Sequence, residues 1–263
     1  MLKKRAITGI IGLIVLLSIL YLMPGEIARI VFFLIFIVAG WEWANLINQS
    51  SLYHRIVFLI TLILMMLCIH FLDFGIIDFK ILFSLSLIFW MLILVSLFYY
   101  PIYISSHVGW IIGLIILVSG YFSVDWILIN WGRDYFLAFL FFIWLMDCGA
   151  YFAGKKFGQL KLAIHISPNK TWEGLIGGLC LVVIFAVFLS ILFDLNNLVL
   201  IPFVISLSLL SVIGDLTISM FKRNTGTKDT GNFFPGHGGV LDRLDSIISS
   251  APLFALGLIL ISS

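Results

Sequence analysis

The residues best suited to chemistry lie between positions 215 and 245. Asp215, Ser219 and Lys222 are spaced by four and then three, which puts them on one face of a helix, and Arg223 follows directly. A carboxylate, a hydroxyl and a cation in register at a helix end can together hold a metal ion and a phosphate. The next residues run Asn224-Thr225-Gly226-Thr227-Lys228-Asp229-Thr230-Gly231, then Phe233-Phe234-Pro235-Gly236-His237-Gly238-Gly239, then Asp242-Arg243-Leu244-Asp245. Four glycines between 231 and 239, Gly238 and Gly239 among them, let a backbone approach a ligand closely. Asp242 and Asp245 share a face if a new helix has begun there, and with Asp215 they offer hard oxygen ligands suited to Mg²⁺. Lys222, Arg223, Lys228 and Arg243 supply phosphate donors, the arginines in bidentate fashion. An ordinary basic loop explains four cations but not three carboxylates around a Gly-His-Gly-Gly centre.

A second polar stretch has the same character. It begins Gly154-Lys155-Lys156-Phe157-Gly158 and ends Ser167-Pro168-Asn169-Lys170-Thr171-Trp172-Glu173-Gly174. Ser167 followed by Pro168 predicts a helix start with proline at its first position, so Lys170 and Thr171 would sit beside an anion-binding helix N-terminus. Two carboxylates, Asp147 and Asp215, fall inside apolar runs, where each costs about 2.5–3.5 kcal/mol on insertion scales and needs a reason. Glu42, between Trp41 and Trp43, reads as a solvated or packing-paired residue near an interface; its role and that of Asp147 stay open here.

These residues are set in a chain that water does not suit. Of 263 residues, 62% are hydrophobic and 11% charged, with a mean hydropathy of +1.20, whereas a soluble domain carries about 25% charged residues. Soluble-enzyme, disordered, fibrous and disulfide-scaffold classes are thereby excluded. Nine apolar stretches can be marked, near 6–23, 27–47, 55–72, 80–98, 107–124, 135–153, 174–193, 197–220 and 247–262. Such lengths suit helices crossing about 30 Å of hydrocarbon, and the dyad alternation of a barrel is absent. The last stretch is the shortest, and 107–124 carries three glycines. The basic start Met1-Leu2-Lys3-Lys4-Arg5 precedes a run too long for a signal peptide, with no small-residue cleavage site, so a retained helix is expected.

With the N-terminus inside, twelve of the fifteen Lys and Arg fall on the cytoplasmic side, leaving Arg29, Lys80 and Arg133 opposite. The positive-inside rule favours this orientation, and it puts loops 154–173 and 221–246 on the same, cytoplasmic face. The expected fold is therefore all-α: a polytopic membrane protein of about nine transmembrane helices in one domain. Residues 1–134 act mainly as scaffold, with almost no ionisable residue beyond Glu42 in the first five spans, and residues 135–263 form the catalytic half. Trp110, Trp126 and Trp131, with Tyr99, Tyr100, Tyr103 and Tyr121, read as interfacial belts. Cys68, Cys148 and Cys180 read as small packing residues with no ligand spacing.

The segment from Ser219 to Asp245 resembles the signature of the phosphatidate cytidylyltransferases (CDP-diacylglycerol synthases), with every defined position of that 27-residue pattern filled. Residues 167–174 resemble a second cytoplasmic motif of the family, with Asn169 where a lysine is often found. The resemblance covers roughly the C-terminal half. It implies an enzyme that joins CTP and phosphatidate to give CDP-diacylglycerol and pyrophosphate in phospholipid biosynthesis, at the cytoplasmic face of the plasma membrane. It further implies Asp215, Asp242 and Asp245 as ligands of Mg²⁺, a second cation being compatible. Lys222, Arg223, Asp229, His237 and Arg243 are the implied catalytic set, His237 as a ligand contact or loop-orienting group. Ser167, Lys170, Thr171, Ser219, Lys228, Gly238 and Gly239 would contact substrate. The resemblance also implies a homodimer in the lipid bilayer, and nucleic acid is not an expected partner.

Other classes fit less well. A polyprenol or dolichol kinase-like enzyme would transfer the γ-phosphoryl group and need a base for an alcohol, for which Glu173 or Asp147 is available. The D-G…A-R…G…D…D pattern of CDP-alcohol phosphotransferases is absent. A transporter would show broken helices in two related halves, and this chain has no such symmetry.

Overall fold

The computed structural model describes every residue except 1, 48–50, 73, 232, 234–237 and 263, and leaves the side chains of residues 2–8 and 262 undescribed. Each apolar stretch forms a helix: α1 (Leu2–Leu22), α2 (Gly25–Ile47), α3 (Leu52–Phe71), α4 (Ile76–Phe98), α5 (Ser106–Asn130), α6 (Gly132–Phe157), α7 (Trp172–Phe193), α8 (Asn197–Asn224) and α9 (Leu241–Ser262). A two-stranded antiparallel hairpin, β1 (Lys161–Ala163) and β2 (Ser167–Thr171), joins α6 to α7. Among the described residues, eight helices are long and apolar enough to cross a membrane, while the apolar part of α1, Gly9–Leu22, is shorter. Helix starts are closed by local side chains: Ser51, Ser105, Thr171 and Asn196 each accept a backbone N–H that the helix cannot satisfy itself.

The glycine-bearing stretch and the shortest one form the centre of the bundle. In α5, 72% of the apolar window is buried and in α9 61%, against 17% in α3. The physical reason is that helices surrounded by other helices select small residues and pairable polar groups, while helices facing lipid need only be greasy. Gly113 of α5 shows the constraint, since a side chain there would collide with the Trp43 indole of α2. That indole donates to the carbonyl of Gly109 at 3.0 Å. Ser86 and Ser119 likewise bridge α4 and α5 at 3.0 Å.

Several expectations change here. The fifth helix runs six residues past 124 and so carries Asp125, which is buried and was overlooked as a membrane carboxylate. Tyr121 and Trp126 are buried in the core instead of lying in an interfacial belt, because the longer helix takes them between neighbours. The three cysteines are exposed on helix surfaces and do not pack inside. Ser167 and Pro168 begin a strand and not a helix: the helix starts at Trp172, where the Thr171 hydroxyl accepts from Gly174 N at 3.1 Å. Pro168 is tolerated because a two-stranded hairpin leaves N–H positions unpaired at its edge.

Contacts between helix ends define two poles. At one, Arg29 of α2 reaches Asp125 of α5, and Tyr21 of α1 reaches Asp134 of α6. At the other, the ends of α2, α6 and α8 meet the starts of α7 and α9, and both motif-bearing loops gather there.

Candidate active site

The second pole encloses a cavity of about 400 Å³. Its polar wall is made by Asp147 of α6, Asp215 and Lys222 of α8, Asp229 of the loop, and Asp242, Arg243 and Asp245 of α9. The expected helical registers are realised. Ser219 donates to Asp215 Oδ1 at 3.3 Å from one turn later, and Asp242 and Asp245 share the first turns of α9. Gly214, just before Asp215, packs against the Asp245 backbone and Ser249, so α8 and α9 touch at the site with no side chain between them.

Two ion pairs organise the charges. Lys170 Nζ lies 2.6 Å from Asp215 Oδ2, tying the hairpin to α8. Lys222 Nζ lies 2.7 Å from Asp242 Oδ1, tying α8 to α9. Asp242 Oδ2 accepts from Thr230 N (3.0 Å), Thr230 Oγ1 (3.1 Å) and Gly239 N (3.0 Å), so Thr230 and Gly239 are both tied to that carboxylate. Gly238 has φ +85°, a left-handed conformation that glycine takes without strain, beside the same carboxylate. Among the described residues neither Asp147 nor Asp245 joins an ion pair; Asp245 Oδ1 accepts from Ser246 N at 2.8 Å.

The remaining expected residues fall around this centre. Arg223 points from α8 to the hairpin, where its Nε donates to Ile166 O at 3.1 Å, so it links the two loops. Thr171 is buried as the cap of α7, and Ser167 lies half-buried at the start of β2. Lys228 is exposed and stands outside the cavity wall. His237 lies outside the described residues. Glu173 is engaged by Leu160 N at 3.1 and 3.3 Å through its two oxygens, a structural role that takes it away from base chemistry.

Two residues belong to this end of the molecule without having been assigned to it. Asp147 lines the cavity, and Glu42 of α2 accepts from Thr230 Oγ1 and from the backbone N–H groups of Val240 and Leu241. The available signal was the cost of an ionisable group in an apolar run, which by default points to function. Spacing was silent, because Glu42 and Leu241 are 199 residues apart.

The donor set can be tested against a divalent cation. Among the described residues no three His, Cys, Asp or Glu side chains converge on one point, so a closed protein cage is absent. Mg²⁺ needs no such cage, since it is held by one or two carboxylates together with waters and substrate phosphates. The cavity wall carries five carboxylates against two basic side chains, an acidic excess that repels polyphosphate unless a cation joins them. The wall's oxygen donors fit a hard divalent ion.

Comparison with known proteins gives concordant findings. The family model described as the cytidylyltransferase family matches residues 3–261. A Pseudomonas aeruginosa protein named phosphatidate cytidylyltransferase is 36% identical over 272 residues, covering 97% of this chain and 96% of that protein. Proteins of the same name from Haemophilus influenzae and Staphylococcus aureus strain COL are 48% and 46% identical over 120 and 134 residues, spanning 43% and 50% of this chain and 41% and 51% of theirs.

Proposed function

The chain belongs to the cytidylyltransferase family, and from that premise we propose that it transfers the cytidylyl group of CTP to phosphatidate. It is a nucleotidyltransferase with the helical architecture of a multi-pass membrane protein. The observation that carries the substrate reading is the cavity at the second pole, where the signature carboxylates and cations converge between α6, α8 and α9.

In this reaction an oxygen of the phosphatidate phosphate forms a bond to the α-phosphorus of CTP, and the bond from that phosphorus to the β-phosphate bridging oxygen breaks. CDP-diacylglycerol and pyrophosphate result. The attacking phosphate is already anionic at neutral pH, so no side chain has to remove a proton. The obstacle is anion meeting anion, and positioning with charge neutralisation lowers it. Lys222 and Arg243 on the cavity wall, with Lys170 beside it, are placed to spread over the phosphates of two substrates. Ser219 and the Gly239 backbone stand where they orient the carboxylates that the cations leave when they turn to phosphate.

Asp215 and Asp245 would hold a divalent cation, Mg²⁺ by the hardness of the donors, with Asp242 joining them when Lys222 moves away. Bound there, the ion would supply charge neutralisation to the nucleotide phosphates. The lipid substrate keeps its acyl chains in the bilayer while its headgroup meets CTP at the cytoplasmic surface of the plasma membrane, and the enzyme works as a homodimer. The twelve-to-three distribution of basic residues supports that orientation. Labelling a Gly226→Cys variant, with the three native cysteines replaced, should succeed from the cytoplasmic face; labelling only from the other face overturns it.

The deciding experiment follows label from CTP. With purified protein, Mg²⁺, phosphatidate and CTP, α-label should enter the lipid and pyrophosphate should appear. γ-Label in the lipid, with CDP released and no pyrophosphate, would make the protein a lipid kinase instead.

A further inference from the structure

We propose that Glu42 is a positioning residue for the cytidylyl transfer, clamping both ends of the glycine-rich loop so that Asp242 and Arg243 stand at the cavity wall. The inference rests on the function proposed above, but the clamp itself is visible in the geometry.

Glu42 sits in a spanning helix, 6% exposed, where an ionised carboxylate costs about 2.5–3.5 kcal/mol unless partnered. Its partners are three uncharged donors: Thr230 Oγ1 at 2.9 Å, Val240 N at 3.0 Å and Leu241 N at 2.8 Å. The two backbone groups belong to the start of α9, whose first N–H groups have no partner within the helix. A carboxylate there also meets the positive end of the helix dipole. Glu42 thus does for α9 from another helix what Thr171 does for α7 from the adjacent position.

Gly231 and Gly239 are fitted to this carboxylate. A side chain at Gly231 or at Gly239 would collide with the Glu42 oxygens, so both glycines permit the close approach. Thr230 carries the contact onward, its hydroxyl lying between Glu42 Oε2 and Asp242 Oδ2 at 2.9 and 3.1 Å. The neighbouring Trp43 ring packs on Phe221 at 4.6 Å, one residue before Lys222. One turn of α2 therefore seats the end of α8 and the start of α9 together. Glu42 does not line the cavity, so its effect passes through Thr230 and the start of α9.

The test uses full-length enzyme in detergent, with Glu42→Ala, Glu42→Gln and Thr230→Val measured beside Asp125→Asn, a substitution at the far pole. Misplacing reacting groups by about 1 Å costs on the order of 10²-fold, so Glu42→Ala should lose about that in kcat. KM for CTP should stay within about threefold, since substrate contacts remain. Glu42→Gln and Thr230→Val, each losing part of the clamp, should fall between. Trypsin should cut after the exposed Lys228 faster in the clamp variants than in wild type or Asp125→Asn. Asp125→Asn should lower thermal stability without lowering kcat of the folded protein. Should Glu42→Ala fail to fold, Glu42→Gln and Thr230→Val carry the test. Clamp variants that keep wild-type kcat, or lose it only as Asp125→Asn does, overturn the proposal, as does unchanged protection of Lys228. Wild-type protein inactive on CTP and phosphatidate would instead sink the functional reading, while the proteolysis still judges the clamp.

Discussion

The two poles of the bundle are built from the same parts. At the first, Arg29 grips Asp125 through Nε and Nη2 at 2.6 and 3.2 Å and reaches Glu26 at 3.1 Å. Beside it Tyr21 donates to Asp134 at 2.6 Å, and Arg133 donates to the Leu20 carbonyl at 3.0 Å. At the second, Lys170 of the hairpin pairs with Asp215 and Lys222 of α8 with Asp242 of α9, over similar distances. Charge pairing between elements is common to both. The second pole adds a cavity whose wall carries more acidic than basic side chains, with Gly239 N held to one of them. The first pole acts as a brace; under the proposed function, the surplus at the second would be completed by substrate and a cation.

Substitutions at matched positions can break this contrast. The largest effect should come from Asp215→Asn, which should lower turnover by roughly 10³-fold or more by removing charge from the reacting centre. Asp125→Asn should leave turnover per folded molecule within about twofold. Equal losses from the two would erase the distinction between site and brace. Next, Arg29→Ala strands Asp125 as a buried charge, and such breakage costs about 3 kcal/mol. Denaturation in detergent should show that loss, with activity of the folded fraction retained.

A smaller but sharper effect belongs to Lys170→Ala, which should reduce turnover at subsaturating CTP by about 10²-fold, the scale of one lost electrostatic donor. A loss of stability alone would make Lys170 a brace like Arg29. The smallest is Lys228→Ala. Its exposed ammonium lies outside the cavity wall, so screened attraction of CTP is all it offers, and the change should stay within a few-fold and fade in high salt. A salt-independent loss of tenfold or more would move Lys228 into the site.

Much of this molecule could be read from the chain. Among the described residues the nine apolar runs became nine helices, because in lipid each backbone must satisfy itself, so hydropathy points to where helices lie. The cluster of polar residues at the cavity was also legible, since Asp215, Ser219, Lys222, Asp242 and Asp245 are ordered by helical spacing, and spacing is local information. The hairpin at 161–171 was missed because Ser167-Pro168 suits a helix start as well as a strand edge, and only the capping of α7 by Thr171 decides between them. Asp125 was missed because the polar close of α5 looks like a helix end until Arg29 is brought to it from α2. Glu42 is the clearest case. Its partners lie in Thr230, Val240 and Leu241, and nothing near residue 42 announces them. The sequence by itself determined most of the residues that carry charge into the membrane, though not Asp125, whose helix runs past its apolar stretch. The tertiary structure alone decided which charges meet, because pairing depends on distances between helices that backbone periodicity does not encode.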